Sequence, residues 1–374
     1  MTIDDEPHCL SGHSQILNAF MLSKLNFKRS NLMNLPLNSL TTRLSPFIIL
    51  LMATPAFAQL DRLYDKAEDN VSGTIVNVSK DGVSLKRGDN TQEFQSGQIL
   101  KILFEGDPPA LTKGREFAID GQFDQALSEL KTISIDGLPR DVNKAETAYY
   151  LAYCEAKLAL AGKGAKDDAV RKLLGFASTY QQSWHFYEAA RLLGDLSLAL
   201  NNADKALTYY KSLMNAPSAN TKIESVYLQG LVNLKKQQSG AASTEFDKVI
   251  GLKAQSAEVA RIQVLAKAGK ALALAQSKKG AESLAITNAL ISELNPTDVE
   301  MAARIYNAQG AGFEASGDTE GAILAYLHTH LMFSLQPDAH AEALQRLVEL
   351  WPTVGKPERA AQARQELQQR YPGF

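Results

Sequence analysis

The residues able to do chemistry are few in this chain and poorly grouped. Its six histidines, His8, His13, His185, His328, His330 and His340, are scattered over 374 residues. His328 and His330 stand two apart in a helical stretch, so their rings leave different faces. A helical zinc site needs histidines four apart with a third ligand, so no metal and no cofactor are expected. The run GKGAKDD at 162–168 has glycine and lysine, but neither the phosphate-loop spacing nor a hydroxyl residue after the lysine. GAGFEASG at 310–317 follows a helix rather than a strand, which is the wrong context for a dinucleotide loop. No GxSxG elbow, no Cys/His pairing and no paired carboxylates stand out. The chain is therefore expected to be no enzyme, and no catalytic residue is assigned.

The order in the sequence lies in what would position side chains. Residues 303–337 read as one helical hairpin: Gly310 midway along a first helix, Gly317-Asp318 at the turn, Ala322 and Tyr326 in a second helix that stops at Pro337. With Ala322 as marker, the same template falls on Ala126, Ala169, Ala206, Ala242, Ala281 and Ala360, at spacings of 43, 37, 36, 39, 41 and 38 residues. Twelve positions ahead of the marker stand Gly114, Gly194, Gly230, Gly269 and Gly310; Lys157 and Val348 break that column. Four positions after it come Leu130, Leu173, Tyr210, Phe246 and Tyr326. Mid-helix glycine costs about 1 kcal/mol relative to alanine. A column of five therefore implies that two antiparallel helices touch there and a larger side chain would hold them apart. Five positions ahead of the marker, Gly121, Gly164, Asn201, Gly317 and Gly355 suit the left-handed end of a helix. About seven helical hairpins are expected.

This pattern resembles the tetratricopeptide repeat (TPR) family, whose signature includes two small residues, an aromatic and a closing proline. Leu193-Gly194, Ala206, Tyr210 and Pro217 match in one copy; Gly310, Phe313, Ala322 and Tyr326 match in another. Gly114, Phe117, Gly121, Phe123, Ala126 and Leu130 match in the first. The resemblance covers residues 107–373. The copies run longer than the family's unit, lack its first tryptophan, and are degenerate at Ala169, Ala281 and Ala360. What the resemblance implies is a mainly α protein, a right-handed α-solenoid whose first helices line a concave groove for a protein or peptide partner. The implied groove residues are Glu188, Arg191, Asp195, Tyr227, Lys235, Lys270, Arg304, Asn307 and Glu314. This stripe mixes both signs and does not reproduce the Lys/Asn clamp with which some relatives hold a terminal carboxylate.

Ahead of the repeats, residues 73–106 change rhythm. Val76 and Val78, then Val83 and Leu85, alternate as strands do. Asp81-Gly82 and Gly88-Asp89-Asn90 mark turns, and Ile99–Phe104 a last strand. A small antiparallel β module is expected there, packed on the exposed end of the stack, either as a cap or as a second binding surface. Residues 59–72 read as a short helix or tether, and the helical repeats occupy 107–374. In residues 1–58, Phe47 to Met52 and Ala56-Phe57-Ala58 resemble a signal peptide cleaved after Ala58. Asp4, Asp5 and Glu6 do not suit such a peptide, and translation from Met21 or Met33 fits better.

Charge is balanced: 39 Lys+Arg, 41 Asp+Glu, net −2, pI near 6.3. Without residues 1–58, which hold four basic and three acidic residues, the balance is 35 against 38, or −3. No basic face for nucleic acid is implied. Cys154, inside an apolar helix, is expected to be a small core residue. Taken together, the sequence points to a non-catalytic exported scaffold for protein–protein interaction, periplasmic or otherwise in the cell envelope, or secreted. Alternatives are a structural subunit of an envelope or secretion assembly, or a binder of glycan or cell-wall polymer. The two tryptophans, Trp184 and Trp351, are far apart for the stacking that sugar sites use.

Overall fold

A computed structural model describes residues 60–372; the expected signal region 1–58 and its cleavage point lie outside the described residues. Five strands come first: β1 (Asp61–Asp65), β2 (Asn70–Ser79), β3 (Gly82–Arg87), β4 (Asn90–Gln95) and β5 (Ile99–Leu103). Seven helical hairpins follow: α1 (Pro109–Ile119) with α2 (Phe123–Leu130), α3 (Asp141–Leu160) with α4 (Lys166–Thr179), α5 (Phe186–Ala199) with α6 (Ala203–Ser212), α7 (Ala219–Lys235) with α8 (Ser239–Ile250), α9 (Ala257–Gln276) with α10 (Gly280–Ser292), α11 (Val299–Ala315) with α12 (Thr319–Met332), and α13 (Pro337–Leu350) with α14 (Pro357–Arg370). The chain is thus mainly α, a serial stack of hairpins behind a small antiparallel sheet.

The helices begin where the sequence supplies acceptors. Asn202, Ser218, Ser256, Asp298 and Asp318 each cap a helix by accepting from a backbone N–H two or three residues into it. The turns depend on left-handed residues at Gly121, Asn201, Gln237, Gly317 and Gly355. Gln237 takes that conformation without being glycine.

The glycine column has a direct explanation. A Cβ added to Gly194 would lie 2.2 Å from the Tyr210 ring; at Gly230 and Gly310 the clashing rings are Phe246 at 2.5 Å and Tyr326 at 2.7 Å. At Gly114 the neighbour is Leu130, also at 2.5 Å. Each glycine therefore seats the large residue four positions after its own marker. Ala126, Ala206, Ala242 and Ala322 are fully buried beside these seats. Gly269 differs: it accommodates Phe246 of the preceding hairpin.

Four expectations need correction. Ala281 is exposed, while Ser283 is buried, so the true marker of the fifth hairpin lies two residues on. In that register Ala271 replaces the glycine and Thr287 the aromatic, both fully buried: a smaller guest needs a shallower seat. Residues 59–72 are not a helix or tether, because β1 lies at Asp61–Asp65 and β2 starts at Asn70, giving the sheet order β4-β3-β2-β1-β5. Leu63, which fits a helical spacing with Leu60 and Tyr64, is buried in the sheet core with Ile102 and Phe104. Val76 is exposed, because a register shift between Ile75 and Asn77 turns Ile75 inward.

Finally, the sheet does not cap the end of the stack. It lies along the edge where the first helices begin. Arg140, just before α3, donates to Asp61 at 2.7 Å. Trp184, just before α5, is buried in the sheet's own core. Ser218, just before α7, faces the backbone of Gly97. In the first turn of α9, Glu258 meets Lys66 at 3.5 Å. The stack also curls on itself. A Cβ on Gly162, in the turn between α3 and α4, would lie 1.8 Å from the carbonyl oxygen of Arg370 at the end of α14.

Candidate partner-binding groove

The first helices of the third, fourth, sixth and seventh hairpins carry polar side chains eighteen positions ahead of the marker, Glu188, Glu224, Arg304 and Glu342; in the fifth that position is buried Leu265. Their neighbours tie adjacent hairpins together. Arg191 on α5 meets Glu224 on α7 at 2.8 Å and Asp195 at 3.8 Å. Arg261 on α9 grips Asp298 at 2.6 Å and Glu300 on α11 at 2.8 Å. Arg304 on α11 reaches Glu300 at 3.1 Å and Asp338 on α13 at 2.9 Å. All keep some contact with water, with side chains 21–55% exposed.

The repeat's aromatics hold this stripe in place from behind. The Tyr210 hydroxyl donates to Asp195 Oδ1 at 2.7 Å, and the Tyr326 hydroxyl to Glu314 Oε1 at 2.8 Å. The ring that fills the glycine seat therefore also orients a groove carboxylate. Arg346 pairs with the same Glu314.

The charges of the stripe also shift one another's ionisation. Asp195 and Glu224 raise the Arg191 pKa, burial opposes them, and Glu300 adds to the rise from three hairpins further along. Burial and Arg191 lower the Lys157 amine on α3, while Asp195, Glu188 and Glu300 oppose. Burial resists ionisation of Glu300, yet Arg304, Arg261 and Arg191 together hold it down to about 2. Glu188 behaves alike: burial is outweighed by His185, Tyr149 and Arg191, again to about 2. Burial instead raises Glu224 and Glu342, against Arg191 and Asn307 respectively. Charges on α3, α5 and α11 thus act on one another across hairpins that are not neighbours in sequence.

Not every residue expected in the groove serves it. Tyr227 is buried, its ring 6.0 Å from Phe246, and offers no exposed aromatic surface. Asn307 is buried between α11 and α13, donating to Ala339 O at 2.8 Å and to Glu342 at 3.2 Å. Neighbouring helices cover both, α8 through Phe246 and α13 through the backbone of Ala339. Lys270 pairs with Asp247 of α8 at 2.7 Å, and Lys235 is exposed near the end of α7. The sequence reading missed Lys157, Glu224, Arg261, Glu300 and Glu342. The polar column eighteen ahead of the marker would have found Glu224 and Glu342.

A second polar cluster lies where the sheet joins the helices. Arg115 on α1 meets Asp107 at 2.9 Å and Glu146 on α3 at 3.4 Å, and Asn143 donates to Asp107 at 2.6 Å. Glu146 also accepts from Trp184 Nε1 at 2.9 Å and lies 3.1 Å from His185 Nε2. The His185 ring stands between Tyr149 and Trp184, with centroids 3.5 and 3.6 Å away. The side chains of Arg115, Asp107, Glu146 and His185 are at most 5% exposed. Such enclosure suits a structural joint rather than a binding surface. Cys154 is buried, and burial pushes its thiol up to about 12, so it is not a ready nucleophile.

Among the described residues no helix is long and apolar enough to cross a membrane. No protein-family model matches this chain, and no curated protein does. Among solved structures it is similar to a tetratricopeptide repeat protein from Parabacteroides merdae ATCC 43184. That match has 19% identity and a TM-score of 0.49, covering 70% of this chain and 91% of the other. It is also similar to the P58(IPK) TPR domain, with 16% identity, a TM-score of 0.26, and coverage of 70% and 73%.

Proposed function

We propose that this chain is a non-catalytic, tetratricopeptide-like scaffold that holds a protein or peptide partner in a hollow lined by α5, α7, α9, α11 and α13. The observation that supports this most is the mixed-sign ladder Arg191–Glu224, Arg261–Glu300 and Arg304–Asp338, whose members stay wetted while being fixed by neighbouring hairpins. A partner segment carrying both charge signs can exchange its own groups into such pairs without reordering the wall, which favours specificity over bulk affinity. The expected residence is outside the inner membrane, and it rests on the signal-like residues 43–59.

Site-specific photo-crosslinking tests the reading. A crosslinker placed at Arg304 or Glu188 is expected to trap a discrete partner, and Arg191→Ala to abolish the adduct with little change in melting. Adducts formed only from an outer position such as Leu335 would favour the alternative of an assembly subunit that uses its outer faces.

A further inference from the structure

The last two hairpins bring together side chains that the sequence keeps far apart. His330 lies near the end of α12, His340 in the first turns of α13, and Glu366 in α14. His330 Nδ1 and His340 Nε2 are 2.8 Å apart. Glu366 places Oε1 at 3.8 Å from His340 Nε2 and Oε2 at 3.8 Å from His330 Nε2. One ligand atom from each residue falls within 4.8 Å of the other two. We propose that these three residues form a binding site for a divalent first-row transition ion of the zinc class, clasping α14 onto α12 and α13.

Three features beyond proximity support this. First, the donor set is right: two imidazoles and one carboxylate, with one coordination position left for water or a partner's side chain. Second, the outer contacts are those that ligands need. The remaining ring nitrogen of His340, Nδ1, lies 2.8 Å from the Tyr371 hydroxyl. With the proton on Nδ1 and donated to that oxygen, Nε2 presents its lone pair to the cluster. Arg370 donates to Glu366 Oε1 at 3.0 Å, which orients the carboxylate and leaves Oε2 unbonded to the guanidinium. Third, the shape permits loading: His340 is fully buried, whereas His330 and Glu366 are 21% and 34% exposed, so one side is open to solvent.

The distances need only small changes. Two ligands on a tetrahedral ion with bonds near 2.0–2.1 Å stand about 3.3 Å apart. The imidazole nitrogens would therefore separate by about half an ångström, and the carboxylate would close by at least that much. In the metal-free chain one ring must donate to the other, so loading moves the His330 proton from Nδ1 to Nε2 or releases it.

The fold gives such an ion a purpose. Helix α14 buries only Ala360 and Ala363, a thin apolar hold on its neighbours. Its end carries Arg370, whose carbonyl abuts Gly162 where the stack meets itself. An ion joining three helices there would fix both the last hairpin and the closure.

Titration of the full chain with Co²⁺ and with Zn²⁺ tests the site, independently of the groove. One Co²⁺ is expected to bind with the visible absorption of a four- or five-coordinate centre, and Zn²⁺ to displace it and raise the melting temperature. His330→Gln and Glu366→Gln, both at partly exposed positions, are each expected to weaken binding by more than about tenfold, the lower bound for loss of even a supporting partner. His328→Gln, off the cluster, is expected to leave affinity unchanged. A wild-type chain with neither cobalt bands nor a zinc-dependent melting shift overturns the site whatever the variants do. Equal affinity across wild type, His330→Gln and Glu366→Gln also overturns it, because the ion is then bound elsewhere.

Discussion

The interiors of the middle hairpins and the joint beneath the sheet solve the same packing problem with opposite materials. Within the α5–α6 hairpin, and again in α7–α8 and α11–α12, a bare glycine receives a ring, and the contact is apolar and local in sequence. At the joint, Arg115, Asp107, Glu146 and His185 fill the space with charge and are drawn from four separate segments. The lesson is that repeated geometry can rest on shape alone, because every copy presents the same neighbours. A unique junction between a sheet and a helix stack has no template, and directional bonds specify it. Several polar atoms in the joint, including Arg115 Nε and Nη1 and Asn143 Oδ1, make no hydrogen bond among the described residues.

Removing charge from the joint should therefore cost most. Arg115→Met leaves Asp107 and Glu146 buried without their cation, and about 3–5 kcal/mol of stability should be lost in denaturant unfolding. A loss below about 1 kcal/mol would show that the joint is held by its apolar rim instead. Overfilling a seat comes next: Gly310→Leu should destabilise by about 1–3 kcal/mol, and Tyr326→Ala in the same chain should recover part of that. Strictly additive losses would mean that the two residues do not share the space. The closure contact gives a similar magnitude, since Gly162→Ala adds a Cβ both at a positive φ and against the Arg370 carbonyl. About 1–3 kcal/mol is expected, with faster amide exchange in α14 as the local signature.

Groove charges should matter least to stability. Arg191→Ala is half-solvated and should cost about 0–1 kcal/mol while impairing partner capture. Acid sharpens the contrast. Glu188 and Glu300 ionise in the folded chain with pKa values of about 2, below the ordinary 4.5. Their contribution is therefore complete above pH about 4.5 and is lost as pH falls towards about 2. Glu188→Gln should flatten the pH dependence of melting over that window, and an unchanged slope would show that His185, Tyr149 and Arg191 do not hold Glu188 ionised.

Much of this was legible in the chain itself, and the limits were specific. The spacing of Gly194 and Tyr210, or of Gly310 and Tyr326, announces a hairpin because both partners lie in one copy. The fifth hairpin was slipped by two residues because Ala281 is as small as the true marker Ser283. Strand β1 was hidden because its partners, β2 and β5, lie on either side of it in the fold and Leu63 carries no rhythm of its own. Arg191, Tyr227 and Asn307, all implied by the resemblance, stand at the same position in their hairpins, yet Tyr227 and Asn307 are buried, since the neighbouring helix decides which flank of a stripe is covered.

By itself, then, the sequence determined that the chain folds as serial hairpins with small-residue contacts behind a strand-rich start, because those signals are periodic and local. Only the tertiary structure decided that the sheet lies along the helix starts, that the far end of α14 meets Gly162, and that His330, His340 and Glu366 converge. Those pairings depend on the accumulated rotation from hairpin to hairpin, a quantity that no single repeat encodes and that small differences in helix length and packing set jointly.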